Sequence, residues 1–217
     1  MNDALSSILC GEEDWHFDSE GRSIRFNKDG TGELECRCNL NFWILVELEW
    51  KSIHPQNNES GPRSASLDQS ITTKNGSGQP ELLGQLGLEI TLTKRLAGRA
   101  RSWAEEHPSN AELLNKNLTD DAYRTKSYTV RIERGNFIQP CYIGSQNSDT
   151  QRYSLRLLFD KSPYPPRSEW VDPEGAPDQG RFWDHVEFVG RAAPDRARRQ
   201  KPMNDPSASS WNSCIVS

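Results

Sequence analysis

Phe42-Trp43-Ile44-Leu45-Val46-Glu47-Leu48-Glu49-Trp50 decides how this chain folds. Phe42, Ile44, Val46, Leu48 and Trp50 fall on one side of a period of two, and Trp43, Leu45, Glu47 and Glu49 on the other. An apolar face alternating with carboxylates is the pattern of a strand with one side buried. The same alternation recurs outward from it. Before it stand Trp15-His16-Phe17, Ser23-Ile24-Arg25-Phe26 and Glu33-Leu34-Glu35-Cys36-Arg37-Cys38. After it come Leu88-Ile90-Leu92, Tyr128-Val130-Ile132, Tyr153-Leu155-Leu157-Phe159 and Phe182-Val186-Phe188. About eight strands follow from this count, the number that closes a small barrel.

The connections fit an antiparallel meander. Asp18-Ser19-Glu20-Gly21 and Lys28-Asp29-Gly30-Thr31-Gly32 are compact, and Asp-Gly is a favoured pair for the positive φ angles of a hairpin turn. Helical signal is confined to Ala97–His107 and Ser109–Tyr123, with Ser109 or Asn110 as the N-cap after Pro108. The expectation is a mainly β fold, a single antiparallel up-and-down barrel with one or two short helices. A β-sandwich is the rival for the same strand count.

Two segments do not belong to a core. Residues 52–80 and 192–213 are rich in Ser, Asn, Gly and Pro and nearly free of large apolar groups, which accounts for a hydrophobic share of 34% and a mean hydropathy of −0.82. Removing them leaves a body of about 165 residues, enough for one core. Residues 1–51 are thus read as the first half of the barrel, 52–80 as a polar loop, 81–191 as the second half, and 192–217 as a tail.

A net charge of −5 argues against a nucleic-acid partner, which requires a basic face. The acidic run Glu12, Glu13, Asp14, Asp18 and Glu20 reads as a solvated surface. Five cysteines at irregular spacing, behind an N-terminal stretch without an apolar core segment, point to a reducing, cytoplasmic setting. No apolar run reaches membrane-spanning length.

A strand carrying Trp15, the Asp29-Gly30 hairpin, an aromatic strand through Trp43 and Trp50, and a late series of long strands together resemble the lipocalin-like, calycin group of β-barrels. The layout is also similar to that of a set of small fungal proteins. The resemblance covers the body and not the loop or tail. A lipocalin's first strand carries Gly, one residue and Trp, whereas Glu12, Glu13 and Asp14 separate Gly11 from Trp15 here. The resemblance implies a pocket for a small hydrophobic ligand inside the barrel.

Few residues suggest chemistry. Asn27 to Glu35 has the oxygen-bearing spacing of the front of a calcium loop, but position twelve is Cys38 rather than a bidentate Glu, so a hairpin is expected. Cys36 and Cys38 share a strand face without a second ligand pair, which favours two small apolar side chains over a metal site. No nucleophile elbow or phosphate cradle is present. Neither metal nor cofactor is expected.

Trp43, Trp103, Trp170 and Trp183 are the candidate ligand-binding residues, as large apolar walls with indole donors. His185 and Glu187, with Asp184 on the opposite strand face, are the acid/base candidates. If Phe182, Val186 and Phe188 point inward, His185 and Glu187 point to solvent. The leading expectation is binding of a small hydrophobic molecule. The first alternative is a cofactor-independent isomerase or cyclase acting on a hydrophobic biosynthetic intermediate by holding it in a reactive shape. The second is a membrane-tethered interaction protein.

The sequence closes with Cys214-Ile215-Val216-Ser217, which resembles a CaaX prenylation box, Ser favouring a farnesyl group. It implies a prenyltransferase as partner, lipidation at Cys214 and peripheral contact with the cytosolic face of a membrane.

Overall fold

The computed structural model describes residues 2–38, 41–53, 79–106, 115–144 and 150–194. Eight strands follow one another around a closed barrel, each antiparallel to its neighbours. They are β1 (Trp15–His16), β2 (Arg22–Phe26), β3 (Thr31–Cys38), β4 (Asn41–Ile53), β5 (Glu81–Leu96), β6 (Lys126–Phe137), β7 (Tyr153–Phe159) and β8 (Glu187–Ala192). His16 pairs with Val189 to join β1 to β8, so the sheet is a ring and not a sandwich.

The alternation in β4 operates as its sequence requires over most of its length. Ile44, Val46 and Leu48 are fully buried in the barrel interior, and Trp50 packs against the same cluster. Each such aliphatic side chain contributes roughly 1.5–3 kcal/mol by leaving water. Phe42 departs from the pattern. Cys36 of β3 pairs with Ile44, yet the next residue, Arg37, pairs with Phe42. Trp43 is therefore an extra residue, and this β-bulge turns the alternation over. Trp43 packs against the interior, while Phe42 joins Leu45, Ala97 and Ala100 in a second cluster.

The Asp29-Gly30 segment is a hairpin flanked by β2 and β3. Gly30 adopts φ +85°, and the Asp29 carboxylate accepts hydrogen bonds from the Thr31 amide (2.9 Å) and hydroxyl (2.6 Å). Gly32 is required by close approach, because a Cβ there would lie 2.2 Å from the Arg25 carbonyl oxygen.

Three α-helices are described: α1 (Asn2–Leu9), α2 (Arg101–Glu106) and α3 (Ala176–Gly180). Helix α2, with the 3-10 turn at Gly98–Ala100, fills the helical expectation for 97–107. Of the second expected helix only a 3-10 turn, Asp120–Tyr123, falls among the described residues; Ser109 and Asn110 lie outside them. Helix α1 lies outside both expected helical segments. Its Leu5, Ile8 and Leu9, spaced i, i+3, i+4, pack against the barrel interior, and the Leu9 carbonyl accepts the Trp15 indole N–H at 2.9 Å.

The acidic run after α1 is a solvated surface at Glu13 and Glu20 but not at Glu12, Asp14 and Asp18. Glu12 is buried and bonded to Arg191 (2.6 Å), Asp14 pairs with Arg25 (3.1 Å) and Arg99 (2.7 Å), and Asp18 is 2% exposed. These carboxylates hold the start of the chain to the barrel wall. The expected polar loop begins later than residue 52, since Ser52 and Ile53 belong to β4. Its residues 54–78 lie outside the described residues, as do 195–217 of the tail with Cys214.

Because the strands run alternately up and down, α1, the β2–β3 turn and the end of β8 share one end of the barrel. The β1–β2 turn and the long β5–β6 and β7–β8 connections share the other.

Candidate functional site

The end away from α1 is roofed by those two long connections, which pair with each other. Leu118 and Trp170 form a β-bridge, with the Thr119 amide donating to the Glu169 carbonyl (2.9 Å) and the Val171 amide to the Asn117 carbonyl (2.8 Å). One side of the roof is tied to β4 by Asn115. Its side-chain amide accepts from the Leu45 N–H (2.8 Å) and donates to the Leu45 carbonyl (3.1 Å). Asn115 has φ +63°, a conformation that asparagine tolerates better than most residues.

Aromatic contacts continue across the mouth. The Trp170 ring lies 5.8 Å from Phe182 and 6.4 Å from Trp183, and Phe182 lies 6.0 Å from His185. Beneath them, the Tyr164 hydroxyl donates to the Glu35 carbonyl at 2.8 Å, and Ser162 bonds the Phe182 carbonyl at 3.0 Å. The roof thus spans from β4 to Phe17, just beyond β1.

The structure corrects the expected placement of His185. The last strand does not start at Phe182. Residues Phe182–Asp184 form a 3-10 turn after Arg181, which has φ +44°, and β8 begins only at Glu187. Strand alternation does not govern His185, which is 8% exposed and turned inward. Its ring is lowered in pKa to about 4, first by burial and then by the positive charge of Arg22, with Asp18, Asp184 and the Gly180 backbone opposing. Glu187 does point outward and pairs with Arg156 (3.2 Å), and exposed Asp184 pairs with Arg181 (2.6 Å). The three acid/base candidates are therefore not assembled into one site.

Two buried nitrogens at the roofed end find no hydrogen-bond partner among the described residues: His185 Nδ1 and Trp43 Nε1. An unsatisfied buried polar atom costs about 1–3 kcal/mol, so such atoms are rare and informative. The surroundings are otherwise of low polarity. Burial pushes the Cys36 thiol and the Tyr164 phenol well above their ordinary values, keeping both uncharged.

Of the four candidate tryptophans, Trp43, Trp170 and Trp183 belong to the roofed end and pack with the interior cluster. Trp103 lies in α2, and its side chain falls outside the described residues. Sequence reasoning missed Phe17, Tyr164 and Phe182 as parts of this end. The signal for Tyr164 was its setting, Ser162-Pro163-Tyr164-Pro165-Pro166, an aromatic fixed between prolines in a connection.

Deeper in the barrel the space is taken by side chains such as Phe26, Leu34, Leu88, Val130 and Leu157, all nearly or fully buried. This is the filling expected of eight strands. On the outer wall a groove of about 520 Å³ is lined by Asp29, Glu49, Lys51, Glu89, Thr91 and Thr125. Its polar groups are already paired, Lys51 with Glu89 at 2.7 Å, Thr91 with Thr125 at 2.7 Å and Glu49 with Arg95 at 2.6 Å. Among the described residues no cluster of three metal-ligating side chains occurs, and no helix is long and apolar enough to cross a membrane.

No protein-family model, curated protein or solved structure matches this chain.

Proposed function

We propose that this protein binds a small, largely apolar molecule at the roofed end of its barrel, the function that the lipocalin-like reading implies. The supporting observation is the two buried nitrogens, His185 Nδ1 and Trp43 Nε1, which lack hydrogen-bond partners among the described residues. A ligand with an apolar body and a polar group satisfies such atoms while burying its own surface. Entry requires the paired connections at Leu118 and Trp170 to part, because the barrel below is filled. Binding is favoured over the isomerase or cyclase reading. A ring with a pKa of about 4 is a weak base near neutral pH, and the Tyr164 hydroxyl is engaged with the Glu35 carbonyl.

The test is titration with the neutral fluorophore N-phenyl-1-naphthylamine. Saturable one-site binding, with energy transfer from tryptophan and a shift of the Trp43 indole resonance, is expected. Trp43→Phe should weaken it. Absence of saturation, or binding indifferent to Trp43, overturns the reading.

We also propose that Cys214 carries a farnesyl group. In support, Cys214-Ile215-Val216-Ser217 has the residue pattern of a CaaX box, and β8 ends at the α1 end of the barrel.

A further inference from the structure

Resting on the binding reading above, we propose that residues 165–179 form a lid over the barrel mouth and that the Lys126–Glu169 ion pair is its latch. The latch sets how fast a ligand enters and leaves, not how tightly it binds. The segment is built to move as one piece. Its ends are pinned together where the Ser162 hydroxyl donates to the Phe182 carbonyl at 3.0 Å, and beside that pin the Tyr164 hydroxyl is bonded to the Glu35 carbonyl. Between its ends the segment is bonded to itself. The Trp170 indole donates to the Pro165 carbonyl (3.0 Å), the Glu169 amide to the Pro166 carbonyl (2.9 Å) and the Asp178 amide to the Pro173 carbonyl (3.0 Å), and Arg167 pairs with Asp178 (2.7 Å). Trp170 is buried against Phe182 and Trp183, whereas Arg167, Ser168, Val171, Asp172 and Glu174 are exposed, so the segment has an apolar inner side and a polar outer one. A compact loop with joined ends swings at its base without losing its own bonds.

The other half of the roof is fixed to the wall. Asn115 holds the Leu45 backbone by two bonds, Asp120 pairs with Lys94 of β5 (2.8 Å), and Ala122 is fully buried. The lid meets this half at residues 169–171, through the backbone pair at Leu118 and Trp170, a bond from the Thr119 hydroxyl to the Glu169 carbonyl (3.2 Å), and Lys126. The Lys126 ammonium lies 2.8 Å from Glu169 Oε2 and donates to the Ala122 carbonyl at 3.1 Å, so one cation touches both halves. The pair is shielded, its side chains 22% and 14% exposed. Glu169 Oε2 is buried and receives no aligned hydrogen bond among the described residues, so the nearby positive charge is what offsets its loss of water. Without that charge the carboxylate resists burial, and opening the lid returns it to solvent. A ligand lies beneath the lid, so the pair is closed both before and after binding. Breaking it therefore speeds entry and exit by one factor.

The test is stopped-flow binding of N-phenyl-1-naphthylamine to the full chain near neutral pH. Lys126→Met should raise the association and dissociation rate constants together by at least about fivefold and leave Kd within about twofold, because it strands a buried carboxylate. Adding Glu169→Leu to it replaces the pair by two apolar side chains and should return both rates to within about twofold of native. Lys51→Met, which breaks the Lys51–Glu89 pair on the outer wall, should change neither rate. If Lys126→Met does not fold, Glu169→Gln takes its place, with a rise of about twofold or more in both rates. Hydrogen exchange needs no ligand. The Thr119 and Val171 amides, which close the backbone pair, should exchange together and faster than the amides of β6, and Lys126→Met should speed those two and not β6. Unchanged rates, a weakened Kd with an unchanged association rate, or Thr119 and Val171 amides as slow as those of β6 overturn the latched lid while leaving the binding reading intact. Failure of the probe to bind the native protein overturns the binding reading, and the two amides then decide the lid.

Discussion

The imidazole of His185 lies flat on the phenyl ring of Phe17, with centroids 3.7 Å apart and planes 14° from parallel. Phe17 follows β1 and His185 precedes β8, so this stack links the β1–β2 turn to the β7–β8 connection where the barrel ring closes on only one paired position, His16 with Val189. Phe17 is itself held edge-on by Phe188 at 6.4 Å. Closure of the mouth and closure of the sheet therefore depend on the same two rings.

Stability should fall on acidification through His185. Its pKa drops from 6.5 to about 4 on folding, so between those values the unfolded chain binds more protons than the folded one. The contribution is fully present above pH 6.5, declines as pH falls, and is lost below about pH 4. The shift corresponds to about 3 kcal/mol. Carboxylates titrate in the same range, so the measurement is a difference: unfolding free energy against pH for the native protein minus that for His185→Phe. A difference that does not change with pH refutes a buried neutral imidazole.

Val46→Ala should destabilise the fold by about 2 kcal/mol, since it empties part of a fully buried interior position. Leu45→Ala should cost a similar amount, about 2–3 kcal/mol, although its side chain points to the outer wall, because Ala97 and Ala100 cover it. Glu49→Ala, more than half exposed, should stay within about 0.5 kcal/mol. Urea unfolding of the three variants checks the order; a harmless Leu45→Ala would mean that the outer cluster contributes nothing.

These neighbouring positions also mark what the sequence reveals. Ile44, Val46 and Leu48, like Leu155, Leu157 and Phe159, announce their burial because a strand's period of two is a local property. The inward turn of Trp43 is not local. It depends on a bulge set by pairing with Cys36 and Arg37 of another strand. The roof is less legible still, because Asn115 reaches Leu45 across 70 residues and Leu118 bridges to Trp170, and neither contact leaves a periodic trace. His185 takes the face opposite to the one that strand alternation implies, since a left-handed Arg181 and a 3-10 turn interrupt the period of two.

Arg99 should prove the key charge of the outer wall. It pairs with Asp14 (2.7 Å), Glu35 (3.1 Å) and Glu33, and so fastens the start of the β5–β6 connection over β3. Burial raises the pKa of Glu35, and Arg99 opposes that rise. Arg99→Met leaves three carboxylates facing one another with Arg25 and Arg37 as the remaining cations nearby. The pair geometry lies between exposed and buried, so a loss of about 1–2 kcal/mol is expected at low salt. The loss should shrink in high salt and at acidic pH, where Glu35 takes up a proton and the repulsion disappears. A deficit independent of both would point to lost packing rather than charge.

Farnesylation of Cys214 should be visible in the intact mass of the protein isolated from a eukaryotic host, as a prenyl adduct with Ile215, Val216 and Ser217 removed. A single prenyl chain holds a protein to a membrane only marginally, so a second attraction is needed. Arg196, Arg198, Arg199 and Lys201 provide it in sequence, offset in part by Asp195, whereas Arg191 is already paired with Glu12. Each contributes about 1 kcal/mol near an anionic leaflet, which makes the association reversible and sensitive to salt. Cys214→Ser should therefore move the protein from membrane to soluble fractions. The same variant should bind N-phenyl-1-naphthylamine as the native chain does, because β8 ends on the side of the barrel opposite the roof. A native protein that keeps its free thiol and its last three residues rules out the lipid, and a Cys214→Ser variant that loses the fluorophore would place the two functions at one end of the barrel.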